Sequence, residues 1–132
     1  MKKVAQRILS ALACPASELS VTIVGDRSIR RLNRDYLGRD KATNVISFPM
    51  QEGAFGAINP ELLGDVVISA DTAAREAEDG GDSYNSRLVF LLLHGILHLT
   101  GYDHERSGEA EAERMEAKER ELFALLQQEG FV

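Results

Sequence analysis

Apolar residues recur along the chain with two different periods, and each switch between periods marks an element. Val4, Ile8, Leu9 and Leu12 fall at helical spacing and predict a first amphipathic helix that Pro15 stops. SVTIVG at 20–25 is rich in Val and Ile and predicts a strand closed by a Gly-Asp turn. Asp26 is placed to cap a second helix with Ile29, Leu32, Asn33 and Tyr36 on one face, and Gly38 is its stop signal. NVISF at 44–48 predicts a second strand ended by Pro49, QEGAFGAINPE at 51–61 a loop, and LLGDVVIS at 62–69 a third strand. Ser69 or Asp71 can cap a third helix running to about Ala77, which DGGDS breaks. From Ser86 to Leu99 the chain is apolar on nearly every side, the mark of a helix inside a core. Ser107 to Gln128 is amphipathic again, with Ala110, Met115, Leu122, Phe123 and Leu126 as expected buried positions. No internal repeat interrupts this order. The expectation is a single α+β domain over residues 1–132, a small mixed sheet of three to four strands packed against helices.

Composition narrows the setting. No stretch approaches the roughly eighteen apolar residues needed to cross a bilayer, and the longest run, LVFLLL at 88–93, ends in His94. MKKVAQRILSALACP is interrupted by Gln6 and Arg7 and reads as a surface helix, not as a signal peptide. Cys14 is the single cysteine, which fits a reducing cytoplasm and leaves any metal to nitrogen and oxygen ligands. The net charge of −6 is unevenly spread. Residues 1–50 carry nine Lys/Arg against four Asp/Glu, residues 51–102 two against eight, and residues 103–132 four against nine. Arg27, Arg30, Arg31, Arg34, Arg39 and Lys41 crowd into one short segment, which serves either as a solvated helix face or as a phosphate-attracting surface.

All three histidines lie in HGILHLTGYDH, residues 94–104. His94 and His98, at i and i+4, project from one helix face and can aim two imidazoles at one ion. Gly101 can end the helix in a left-handed turn, so that His104 returns from another direction as a third ligand. Three nitrogens around Zn²⁺ leave an open position, where bound water reaches a pKa of about 7. As plain core residues, His94 and His98 would each need a buried hydrogen-bond partner, at about 1–3 kcal/mol for any group left unpaired.

The spacing matches the three-histidine zinc motif of metzincin proteases and implies a zincin-like metal helix. Those enzymes carry a Glu directly after the first histidine as general base, and here that position is Gly95, which disfavours peptide hydrolysis. Gly95 instead permits a close approach, of the helix to its neighbours or of substrate.

HGILHLTGYDH resembles the signature of the YbeY family of bacterial endoribonucleases. LNRDYLGRDKATNVISFP at 32–49 is similar to the family's second block, LLGDVVIS at 62–69 to its third, and the acidic helix after the histidines is similar too. The resemblance covers about residues 20–126. It implies zinc on His94, His98 and His104, one ion per chain. It also implies cleavage of single-stranded RNA in the cytoplasm, 16S rRNA 3′-end maturation, and ribosome quality control. Two rivals remain: a metalloprotease-like hydrolase and a non-catalytic zinc-stabilised factor of the ribosome.

Three departures stand out. Leu37 follows Tyr36 where the family often has an arginine implicated in activity, and Arg39 can supply that charge from a shifted position or be a loop residue. Ala42 replaces a frequent proline. The amino terminus is shorter than usual, without a first edge strand. Cleavage needs a cation to polarise the phosphate and a nucleophile, either metal-bound hydroxide or a ribose 2′-OH. Arg30, Arg34 and Lys41 become candidate substrate-binding residues, since they precede the strand that in the family borders the metal cleft. Asp103 can orient a ligand imidazole or serve its turn, and Tyr102 can stack on a base or pack. Ser47 and Asp65 have ordinary turn and strand roles as well as their positions within the blocks.

Overall fold

A computed structural model describes residues 1–50, 61–102 and 108–132. Its elements are α1 (Lys2–Ala11), β1 (Glu18–Val24), α2 (Asp26–Leu37), β2 (Val45–Pro49) and β3 (Leu62–Ser69), then α3 (Ala70–Asp79), α4 (Tyr84–Leu99) and α5 (Glu109–Gln128). Among the described residues the sheet has three strands in the order β1-β3-β2, with β1 parallel and β2 antiparallel to β3. The expected mixed sheet is therefore present. The loop expected at 51–61 and the helix start at Ser107 fall largely outside the described residues.

β3 explains the layering. Its run is apolar without alternation because both its faces are covered. Val66 and Ile68 pack with α1, α4 and α5, while Val67 packs with Ile46 of β2 and Ile29 of α2. Helices α2 and α4 thus lie on opposite faces of the sheet. The uniformly apolar α4 is the central post, with Leu92, Leu93, Ile96 and Leu97 fully buried. Burial of a side chain of that size contributes about 1.5–3 kcal/mol, and α4 carries several.

Some expectations are corrected. Asp26 does not cap α2. Gly25 holds the N-cap with extended backbone, and Asp26 is the first helical residue. Its carboxylate turns toward α3, accepting from Ser69 Oγ and Thr72 Oγ1 at 2.6 Å each and from Arg75 Nη2 at 2.7 Å. In return Asp71 of α3 accepts from the Asp26 backbone N–H at 2.9 Å, so the two helix starts serve each other. Ser69, not Asp71, caps α3, accepting from the Thr72 N–H. Tyr36 is exposed, with its ring edge-on to Phe48, and Ala110 is exposed as well. Met115, Leu122 and Leu126 are buried as expected, with Phe123 half-buried beside them.

Candidate metal centre

Helix α4 begins at Ser83, whose side chain accepts from the Ser86 N–H, and holds His94 and His98 near its end. Their side chains turn to one point. The two Nε2 atoms stand 3.2 Å apart, with ring planes inclined by 72°. Two nitrogens bound at about 2.0–2.1 Å to one tetrahedral ion stand roughly 3.3 Å apart, so the pair fits two corners of such a site. After the C-cap Thr100, Gly101 takes φ +102°, and the Tyr102 N–H closes back on the Leu97 carbonyl at 3.0 Å. The expected glycine turn is there. His104 and Asp103 lie outside the described residues.

A group the sequence reading missed stands behind His94. Glu119 of α5 is 6% exposed, and its Oε2 lies 3.3 Å from His94 Nδ1. It sits in the same stripe as Met115, Leu122 and Leu126. An acid inside an apolar helical stripe was the available signal. A buried carboxylate is costly unless paired, and the imidazole nitrogen 3.3 Å away gives it a partner.

Beside His94 opens a cavity of about 290 Å³ lined by Asn44, Arg87, Phe90, Leu91, Glu116 and Glu119. Arg87, two helical turns before His94, is held at 3.0 Å by Glu76 of α3 and lies 5.0 Å over the Phe90 ring. Glu76 also accepts from Asn44 Nδ2 at 3.2 Å. One carboxylate thus orients both an amide and a guanidinium at the cavity wall.

Gly95 faces the sheet. Its carbonyl accepts from Ser47 Oγ at 3.0 Å, and a β-carbon there would meet Val66 Cγ1 at 2.7 Å. The close approach left open by the sequence is therefore that of helix to sheet. A side chain at this position would enter the packed layer. Tyr102 packs against the core, and Arg114 covers its ring at 4.3 Å.

The family profile of Endoribonuclease YbeY matches residues 1–127. The chain belongs to the YbeY family. A relative named Endoribonuclease YbeY from Geobacter metallireducens is 74% identical over all of this chain and 88% of its own length. Another of that name from Geobacter sulfurreducens is 70% identical with the same coverage, and one from Aquifex aeolicus is 50% identical over 84% of this chain and 72% of its own length. A solution structure from Thermotoga maritima shares the fold, with a TM-score of 0.61 at 23% identity over 98% of this chain and 83% of that one.

Relative to the YbeY blocks, the basic segment divides in two. Arg30 and Arg34 project from α2, across the sheet from the histidines, and pair at 2.9 Å with Asp40 and Asp35, which raise their pKa values. Arg39 and Lys41 are exposed beyond the end of α2, and their side chains form no hydrogen bond or ion pair among the described residues. Their segment leads directly to Asn44 at the cavity, whereas Leu37 is an exposed residue at the helix end. Among the described residues no helix is long and apolar enough to cross a membrane.

Proposed function

We propose that this protein is a zinc-dependent endoribonuclease that cuts single-stranded RNA, acting in the cytoplasm on rRNA, at the 16S 3′ end and in ribosome quality control. The observation that carries the reading is the 3.2 Å approach of His94 Nε2 to His98 Nε2, backed by family membership. His94 and His98 are two ligands and His104, by its spacing, the third, in a zincin-like arrangement. Zinc held there would supply Lewis-acid polarisation of a phosphoryl oxygen and a water of lowered pKa.

The chain's own groups bind and orient the RNA. Arg39 and Lys41 attract the phosphate backbone at the approach. Arg87 and Asn44, held by Glu76, turn their remaining N–H groups to the cavity as donors for phosphate oxygens, and Phe90 and Leu91 line the same cavity. Position 95 lies against the sheet, so a protease-type base has no place after His94.

The test is zinc content and cleavage of unstructured RNA by wild type, His98→Ala and Arg39→Ala. About one zinc per chain and RNA cleavage, both lost in His98→Ala, are expected. Metal-free wild type would defeat the zinc claim. Cleaved casein with intact RNA would favour a protease. Zinc without turnover, with ribosome co-sedimentation persisting in His98→Ala, would favour a non-catalytic ribosomal factor.

A further inference from the structure

We infer that Glu119 sets the tautomer of His94, making it a positioning residue for the metal centre. The inference rests on the reading of His94 as a ligand. Glu119 Oε2 is buried 3.3 Å from His94 Nδ1, and an oxygen that accepts there holds His94 through an Nδ1–H donor. That proton assignment puts the lone pair on Nε2, the nitrogen that faces His98. His98 Nε2 lies 3.2 Å from His94 Nε2, so under that assignment a proton shared between them in the metal-free chain would belong to His98.

The geometry asks for such a device. An imidazole side chain in water carries its proton mostly on Nε2, the nitrogen that here must be bare. His94 is on a helix whose backbone is locked by burial on both sides, yet the ring itself is 26% exposed and has its own rotation to lose. Phe90 stacks beside the ring with centroids 6.4 Å apart and constrains its plane, but a hydrocarbon face cannot choose between two tautomers. A hydrogen-bond acceptor at Nδ1 does both, and Glu119 Oε2 stands there. Glu119 comes from α5, far along the chain, so the last helix completes a site that α4 alone leaves undirected.

The experiment compares wild type, Glu119→Gln and Glu119→Leu, full length. Long-range ¹H–¹⁵N spectra of the zinc-free proteins report the His94 tautomer, and competition with a chromophoric chelator reports Zn²⁺ affinity. Wild type should show Nδ1–H on His94. Glu119→Leu should lose that preference and bind zinc about 10–100-fold more weakly. Glu119→Gln keeps the shape but its amide both donates and accepts, so it should give mixed tautomers and a smaller loss. A merely space-filling Glu119 would leave the Gln variant like wild type in both readouts, which overturns the inference. So would a wild-type His94 already protonated at Nε2. If Glu119→Leu fails to fold, the Gln variant decides. If wild type takes up no zinc, the zinc reading fails, while the metal-free spectra still decide the role of Glu119.

Discussion

Gly95 and Val66 leave no room between α4 and the sheet: a β-carbon on Gly95 would stand 2.7 Å from Val66 Cγ1, with Val66 fully buried. Neither side can yield, because Val66 belongs to the central strand and Gly95 to the central helix. Gly95→Ala should therefore cost about 1–3 kcal/mol, as overpacking in a dense core does. Urea unfolding measures it. A stability equal to wild type would mean that α4 floats more freely than its packing implies.

Zinc should couple to stability through the two histidines. At free zinc of about 100 times Kd, the folded state gains about 2.7 kcal/mol over the zinc-free protein. Thermal unfolding with and without a chelator should show a lower Tm for stripped wild type and no response for His98→Ala. A wild-type Tm indifferent to the chelator would count against the site.

The Asp26 carboxyl is held at about 2, below its ordinary 3.8, chiefly by the Ser69 and Thr72 hydroxyls and then by Arg75. Because the folded value is depressed, the contribution is complete above pH 3.8 and disappears as pH falls through about 2. The side chain is 29% exposed, so after screening we expect about 1–2 kcal/mol at neutral pH. Asp26→Asn should be less stable than wild type at pH 7, with the gap closing between pH 4 and pH 2. A gap independent of pH would remove the electrostatic explanation.

Arg39 and Lys41 should matter to RNA more than Arg30 and Arg34. The first two have no acidic partner among the described residues, whereas each of the others is already paired with a neighbouring aspartate. Arg39→Ala and Lys41→Ala should each reduce the salt-dependence slope of RNA binding by about 1. Arg30→Ala should change it less. Binding measured across a salt series gives both slopes, and a larger effect at Arg30 would reverse the assignment.

Local regularities carried much of this protein into its sequence. Helical and strand periods mark the elements buried on one face, and unbroken apolar runs mark β3 and α4, which are covered on more than one side. The i, i+4 histidines and the glycine after them are local in the same sense: a helix fixes where two side chains point whatever surrounds it. The absence of Glu at position 95 was readable too, but its reason was not, since Val66 and Ser47 come to Gly95 from strands β3 and β2 of the sheet.

What only the tertiary structure decided are the partners drawn from distant segments. Glu119 stands out as an acid within an apolar stripe, but its partner is decided only when α5 docks and turns it to His94. Asp26 looks like a cap until α3 arrives with three better donors. The six clustered cations look alike until folding gives Arg30 and Arg34 their aspartates and leaves Arg39 and Lys41 without one among the described residues. Sequence determined the elements and the placing of the two histidines on one helix face because those obey short-range geometry; the charges acquired their roles from neighbours that only packing supplies.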